Sequence, residues 1–454
     1  MAPPDALGSA RVSFDAPAPD VKSTDGGSEN LLRDAALTTE CTTSPTTGMP
    51  LVALDGPAAW KPEDLRASQN WGRTLTEAQI SELHAALAHA KANGLEWEEV
   101  DGMNIPANMT KELFALGPEL RSLVATMAAE LEDGTGAVMI ENFPVHGIPH
   151  EDVGALYVGL CSHIGALRWQ SSAGLRSRSR GYGVHLGRVR AEMKGNTPEA
   201  GKQSNNYFRL HTDRCDVISL LGIRAAAKGG ASRVCSAVTV FNEMLKKYPR
   251  LVPKLFNPVE RIWEGEDGKV ALPLMDITKE GKFTSQISPS YIECAQLLPN
   301  ARPLDDETIE AIDLVEEVGL ENCVEFVMQP GTAYWLNNHQ VYHGRTGWAD
   351  TADEDVPSFD APDPVPDVRS TDENENGAEA TGRLLFRVWL SPYNSRALPD
   401  DPGYRRLWGA VEPGAPRGGL EPALATGESS PEVLRQAMAS AKHNYYGLYK
   451  RRYA

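Results

Sequence analysis

Two short segments carry residues whose types and spacing could do metal chemistry. His211 and Asp213 are two positions apart, and the second segment, residues 335–343, ends in His343. In an extended strand, residues i and i+2 project from one face, so His211 and Asp213 can reach one metal ion. Two histidines and one carboxylate on one face of an octahedron leave the opposite positions open, as a non-haem Fe(II) oxygenase requires. His343 is the candidate third ligand, although a lone His-x-Asp also fits a histidine and a capping aspartate in a turn.

A second pattern downstream indicates an anion site. In a strand over residues 383–390, Arg383 and Arg387 share one face with Leu385 and Trp389, and the residues between them form an apolar face. An arginine that points inward needs an anion, because an unpaired buried charge is costly. The planar guanidinium suits a carboxylate in bidentate geometry. The alternative is an edge strand whose arginines are solvated or paired with nearby acids.

As a set, these motifs resemble the taurine dioxygenase and 2,4-D dioxygenase-like Fe(II)/2-oxoglutarate oxygenases, which include clavaminate synthase-like enzymes. The resemblance rests on the order His-x-Asp, Gly-Gly, distal His and two arginines four apart, in residues 211–232, 336–348 and 383–399. A weaker resemblance runs from Leu51 to Leu420. It implies an α+β fold with a double-stranded β-helix (jelly roll) core flanked by helices, whereas the sequence pattern alone predicts only mixed helices and strands.

The resemblance also implies roles for individual residues. His211, Asp213 and His343 would bind Fe(II), and Arg383 would bind the distal carboxylate of 2-oxoglutarate with help from the Ser232 hydroxyl. The enzyme would then use O2 to hydroxylate, desaturate or cyclise a small, anionic organic substrate, with release of succinate and CO2.

Two further residues are assigned to the substrate. Arg387 resembles the position that contacts the substrate or the co-substrate pocket in relatives. Tyr207, four residues before His211, would line the pocket if the strand extends back that far, with core packing as the alternative. His185 reads most simply as a hydrogen-bonded loop or core histidine.

Two other functions stay open at this point. A zinc hydrolase could use the same three ligands with water, but it gives no reason for Arg383 and Ser232. A non-catalytic jelly-roll binding module is the other alternative. The presence of all three presumptive ligands argues against it.

The sequence departs from the family pattern at two places. Ser232 stands where a threonine is usual, a change that keeps the hydroxyl. His343 and Arg383 are 40 positions apart, and the intervening residues 349–382 contain 11 acids and one base, Arg369. Such a segment cannot bury enough apolar surface to order the chain, so a mobile acidic insertion is predicted near the mouth of the site. A lid is the functional alternative.

The acidic insertion repeats part of the amino terminus. Residues 13–17 recur at 358–362, and residues 19–25 recur with one change at 366–372. Two distant copies exclude a solenoid. Nothing in the pattern selects between a docking peptide and a rearranged segment.

Several elements must position these residues. Thr76 and Gln79 form a capping box that predicts a helix over 76–92. The remaining predictions are one or two helices over 111–131, a strand over 136–140, a helix over 150–164, a strand over 217–224 that continues the iron-bearing strand, a helix over 237–247, and strands over 321–327 and 331–336.

Composition limits the partners and the cellular compartment that can be expected for this protein. The 454 residues carry a net charge of −18, which makes nucleic acid a poor partner. The chain lacks a membrane-spanning run and a secretory pattern, and its six cysteines show no metal or redox spacing, so a cytoplasmic enzyme is expected, with a homo-oligomer left open. The predicted organisation is a disordered acidic, Pro-rich segment over 1–50, a catalytic domain over 51–425 and a C-terminal helical tail over 426–454.

Overall fold

The computed structural model describes residues 42–100, 102–170, 184–190, 205, 207–263, 268–350, 356 and 382–420. All of them belong to one compact unit, Thr39–Ala454. The predictions for the C-terminal tail and for both copies of the repeated segment lie outside the described residues, as do most of the N-terminal segment and of the acidic insertion. Within the described ranges, no helix is both long enough and apolar enough to cross a membrane.

Helices and strands are interspersed along the described chain. The helices are α1 (Pro62–Ala67), α2 (Glu77–Ala92), α3 (Pro118–Asp133), α4 (His150–Ile164), α5 (Ala237–Lys247), α6 (Val252–Phe256), α7 (Pro289–Ala295), α8 (Asp306–Glu321) and α9 (Pro402–Trp408). The strands are β1 (Trp97–Val100), β2 (Met103–Pro106), β3 (Ala137–Ile140), β4 (Gly165–Arg168), β5 (Leu186–Val189), β6 (Phe208–His211), β7 (Val217–Arg224), β8 (Lys228–Gly229), β9 (Ser232–Ser236), β10 (Val259–Ile262), β11 (Lys269–Leu272), β12 (Met275–Ile277), β13 (Phe283–Ser285), β14 (Val324–Phe326), β15 (Ala333–Asn337), β16 (Val341–Arg345), β17 (Trp348–Ala349) and β18 (Leu384–Pro392).

Two antiparallel sheets carry the residues singled out by the sequence. The larger has the order β3-β15-β7-β18-β4, with β5 also paired to β18, and the smaller has the order β14-β9-β16-β6. Helices and antiparallel sheets are thus mixed, and the α+β prediction is confirmed. Apolar side chains from both sheets form one buried cluster, which includes Val234 and Val341 of the smaller sheet and Ile218, Leu385 and Trp389 of the larger.

Strand β18 divides its residues between two environments, as its alternation predicts. Leu384, Phe386, Val388 and Leu390 pack into a core shared with helices α2, α3 and α4. The alternate residues Leu385 and Trp389 face the cluster between the sheets. Since Phe386 is fully buried, its truncation to alanine should cost about 3–5 kcal/mol of stability. This packing holds the strand on which both predicted arginines depend.

Local signals place several elements well. Helix α2 begins at the predicted capping box, because Thr76 Oγ1 accepts from the Gln79 amide at 3.2 Å and Gln79 Oε1 accepts from the Thr76 amide at 3.0 Å. Helix α4 and strand β7 have the predicted bounds. Helix α3 begins at Pro118 and not at residue 111 as predicted, because proline is favoured in the first turn of a helix. Strand β14 is shorter than predicted because α8 runs on to Glu321.

The continuous iron-bearing strand is a wrong prediction. Strand β6 ends at His211 and belongs to the smaller sheet, whereas β7 belongs to the larger one. The chain crosses between the sheets over residues 212–216. Asn338 holds this crossing: its side-chain Oδ1 accepts from the backbone N–H of Asp213 at 3.0 Å, and its backbone N–H donates to the Asp216 carbonyl at 2.8 Å. Asp213 therefore lies in a connection, not on a strand face.

Candidate active site

The three predicted metal ligands come together between the two sheets. His211 lies directly opposite His343 in the pairing of β6 with β16, and Asp213 follows two residues later. Their potential ligand atoms all lie within 4.8 Å of one another, and this is the one such cluster of three or more found in the described parts of the chain. His211 Nε2 is 3.8 Å from Asp213 Oδ1, and the two imidazole centroids are 4.2 Å apart.

Both histidines are held in the form that can bind a metal. His211 Nδ1 donates to the Arg209 carbonyl at 2.8 Å, which leaves the Nε2 lone pair on the side of Asp213. Burial lowers the pKa of His211, and it lowers the pKa of His343 to about 3. Neutral imidazoles at neutral pH offer lone pairs without first losing a proton.

The Asp213 carboxylate is oriented by strand β18. Its Oδ2 accepts from Trp389 Nε1 at 3.0 Å and from Arg387 Nη1 at 3.3 Å. Its Oδ1 is the oxygen near His211. Arg387 is itself held, because its Nε donates to Gln170 Oε1 at 2.6 Å. The arginine that was predicted to bind substrate thus contacts a predicted metal ligand.

A β-bulge changes which residues accompany His211. Arg345 pairs with Phe208 while His343 pairs with His211, so β6 contains one residue more than β16 between the two pairs. The extra residue reverses the alternation of side chains. Phe208 therefore contacts His211, with ring centroids 4.2 Å apart.

Tyr207 does not take the pocket position predicted for it. Its hydroxyl donates to Glu316 Oε1, on helix α8, at 2.7 Å. The prediction assumed an unbroken strand, in which residues 207 and 211 share a face. The bulge removes that relation. Tyr207 is only half-buried, so the alternative of core packing does not describe it either.

Arg383 is buried in surroundings that differ from those of Arg387. Its side chain is 3% exposed, and its Nη1 has no hydrogen-bond partner among the residues that the structure describes. Burial lowers the pKa of Arg383 to about 10, which still leaves it charged at neutral pH. Trp348 lies between two cations, with its ring centroid 4.8 Å from Arg383 Cζ and 4.6 Å from Arg345 Cζ.

Ser232 is a buried residue of strand β9. It pairs with Arg345 of β16 and is a neighbour of Tyr334. The preceding Gly230 has a φ of 70°, and a Cβ there would lie 3.3 Å from Arg383 Nε. Glycine therefore lets the backbone approach the guanidinium closely. The structure brings Ser232 and Arg383 together around Tyr334, whose raised pKa reflects its burial and whose neighbours include both.

Sequence reasoning missed Arg345, Trp348 and Gln170 as neighbours of the site. Arg345 had an available signal, since it lies two residues after His343 on what proves to be one strand. Gln170 had none, because its contact with Arg387 joins residues 217 positions apart. His185 contacts the residues around Gln170. Its ring centroid lies 4.2 Å from that of Trp169, and its carbonyl accepts from Gln170 Nε2 at 3.0 Å.

Comparison with known proteins identifies the family of this chain. The family model described as "Taurine catabolism dioxygenase TauD, TfdA family" matches residues 107–356, more than half of the chain. The protein belongs to this family. It is a non-haem, Fe(II)- and 2-oxoglutarate-dependent dioxygenase that uses O2 and acts on a small molecule.

Individual relatives are distant. FR-33289 synthase of Streptomyces rubellomurinus (strain ATCC 31215) is 24% identical over 365 residues, which cover 78% of this chain and 95% of the relative. The taurine hydroxylase-like protein SAT17 of Stachybotrys chartarum (strain CBS 109288 / IBT 7711) is 24% identical over 307 residues, covering 64% and 74%. Among solved structures, asparagine oxygenase with Fe(II), a hydroxyasparagine and succinate has a TM-score of 0.48 at 15% identity, covering 70% of this chain and 93% of that one.

Proposed function

We propose that His211, Asp213 and His343 hold the Fe(II) ion of this oxygenase, and that Arg383 with Ser232 holds the distal carboxylate of 2-oxoglutarate. The observation that carries the proposal is the convergence of three potential ligand atoms within 4.8 Å. The core is then a double-stranded β-helix. Support comes from the buried cluster shared by the two antiparallel sheets and from a triad built by strands and a crossing between them.

The side chains present fit both groups. Two neutral imidazoles and one carboxylate form a set that suits Fe(II) with positions left for other ligands. The buried Arg383 guanidinium, with an unpartnered Nη1 in the described structure, suits a carboxylate. A zinc hydrolase would use the triad, but it would leave the buried charge of Arg383 without a purpose.

Bound Fe(II), 2-oxoglutarate and O2 supply the oxidising chemistry, which releases succinate and CO2. The residues of the chain would bind and orient the metal and the co-substrate and would shield them from water. Arg383 and Ser232 would set the position of the co-substrate through its distal end. Phe208 and Trp348 place aromatic surface beside the triad and beside Arg383, where it limits access of water.

The substrate is proposed to be small and anionic, and the reaction to be a hydroxylation, desaturation or cyclisation. Arg387 is the basis of this proposal, since its guanidinium lies beside Asp213 and is buried. A substrate anion would share Arg387 with that carboxylate. A role for Arg387 in substrate binding stays a prediction.

The test is an anaerobic titration of the metal-free protein with Fe(II) and then with 2-oxoglutarate. We expect the weak visible charge-transfer band of the Fe(II)–keto acid chelate, its loss in Asp213→Ala, and a strong weakening in Arg383→Ala. Arg405→Gln, which removes an exposed arginine paired with Asp400 on the surface, is the control and should titrate normally. An unchanged band in Asp213→Ala and in Arg383→Ala would overturn this assignment of the metal and co-substrate residues.

A further inference from the structure

Arg387 is held along its whole length by protein groups. Gln170, which is fully buried, accepts from Arg387 Nε at 2.6 Å through Oε1 and donates to the Arg387 carbonyl at 2.8 Å through Nε2. The far end of the guanidinium donates to Asp213 Oδ2 at 3.3 Å. The side chain is therefore fixed between an amide and a carboxylate.

The fold makes room for this arrangement. Gly187 lies opposite Arg387 in the pairing of β5 with β18. A Cβ at Gly187 would lie 2.6 Å from Gln170 Oε1, so any larger residue would displace the amide from Arg387. Trp389, two residues after Arg387 on the same face, supplies the second donor to Asp213 Oδ2 at 3.0 Å.

We propose that Arg387 is a positioning residue for Asp213, supported by Gln170 and Trp389, whatever its contact with substrate. A free carboxylate turns readily about its last torsion angle. Two donors on Oδ2, one of them charged, favour a single orientation and leave Oδ1 on the side of His211. This inference rests on the proposed metal site and adds to it the groups that preorganise one ligand.

Metal affinity in the absence of 2-oxoglutarate and substrate tests the proposal. Fe(II) binding would be measured anaerobically by competition with a chromophoric chelator. Arg387→Met should bind Fe(II) roughly 10- to 100-fold more weakly, the range typical when a group that orients a metal ligand is removed. Arg387→Lys keeps the positive charge but loses the planar guanidinium with its fixed N–H donors. Its Fe(II) affinity should lie between those of Arg387→Met and the unmodified protein.

Two further variants separate positioning from other effects. Trp389→Phe keeps an aromatic ring and removes only the N–H donor, so it should also weaken Fe(II) binding, and it decides the matter if Arg387→Met does not fold. Arg405→Gln removes an exposed arginine that is paired with Asp400 on the surface, and it should leave Fe(II) affinity unchanged.

The possible failures are distinguishable. Unchanged Fe(II) affinity in folded Arg387→Met and in Trp389→Phe would overturn the positioning role. If Asp213→Ala and His211→Ala also keep full Fe(II) affinity, the metal site itself is wrong.

Discussion

Two buried arginines at one end of the last strand, Arg383 and Arg387, are four residues apart and look equivalent in the sequence, yet their surroundings differ. Arg387 is satisfied by Gln170 and Asp213. Arg383 has a buried Nη1 with no hydrogen-bond partner among the described residues. Buried polar groups are normally satisfied, so the unpartnered Nη1 is consistent with the ligand proposed for Arg383, and the contacts of Arg387 are consistent with the positioning role proposed for it. Partner contacts therefore distinguish two arginines that spacing could not.

Removal of Arg383 should have the largest effect on the co-substrate. Loss of one partner of a buried charge pair costs about 2–5 kcal/mol, so Arg383→Met should weaken 2-oxoglutarate binding roughly 30- to 5,000-fold. The charge-transfer titration measures this at saturating Fe(II). Similar 2-oxoglutarate affinities in Arg383→Met and Arg387→Met would erase the contrast between the two arginines.

The backbone near Arg383 offers a second test. Gly230→Ala places a Cβ 3.2 Å from Trp348 Cβ and 3.3 Å from Arg383 Nε, at a φ of 70°. We expect a loss of about 1–2 kcal/mol of stability from the backbone conformation, together with weaker 2-oxoglutarate binding. Denaturant unfolding and the same titration report the two effects.

Gly48→Ala is the matched control for that variant. Gly48 has a φ of 74°, but a Cβ there has no heavy atom within 4 Å among the described residues. It should lose stability for the same backbone reason and keep its 2-oxoglutarate affinity. Normal co-substrate binding in Gly230→Ala would mean that the glycine loop does not shape the pocket of Arg383.

A smaller effect is expected at Ser232. A neutral hydrogen bond contributes about 0.5–1.5 kcal/mol, so Ser232→Ala should raise the Kd of 2-oxoglutarate roughly two- to twelvefold. Ser232→Thr keeps the hydroxyl and should bind the co-substrate much as the unmodified protein does. Equal Kd values for the alanine and threonine variants would remove Ser232 from the site.

The last prediction concerns the Arg387 side of the site and the pH dependence of stability. Burial lowers the pKa of His185 to about 4 from its usual 6.5. Below pH 6.5 the unfolded chain binds a proton that the folded chain does not, so the contribution of neutral His185 is complete above pH 6.5 and is lost as the pH falls towards 4.

Urea unfolding between pH 7.5 and 4.5 tests whether the free energy of unfolding falls with pH in this direction. The stability advantage of the unmodified protein over His185→Gln should shrink as the pH falls. His84→Gln removes an exposed histidine from helix α2 and serves as the control. A constant difference between the unmodified protein and His185→Gln would show that His185 is not buried in this way.

Much of the arrangement followed from short patterns in the chain. The capping box at Thr76 gave the start of helix α2, and alternation after Arg383 gave both faces of β18. The triad residues were identified from their types and order, and the structure brings them together. Such features depend on neighbouring residues, because a helix start or a strand face is set within a few positions.

Other features depended on tertiary contacts. The crossing at residues 212–216 places Asp213 through a hydrogen bond to Asn338, and the bulge in β6 replaces Tyr207 by Phe208 beside His211. Gln170 meets Arg387 across 217 positions of sequence. The sequence by itself determined which residue types were available and how most local elements form. Only the tertiary packing decided that the Arg387 guanidinium is hydrogen-bonded while Arg383 Nη1 has no partner among the described residues, because such contacts join groups from distant parts of the chain.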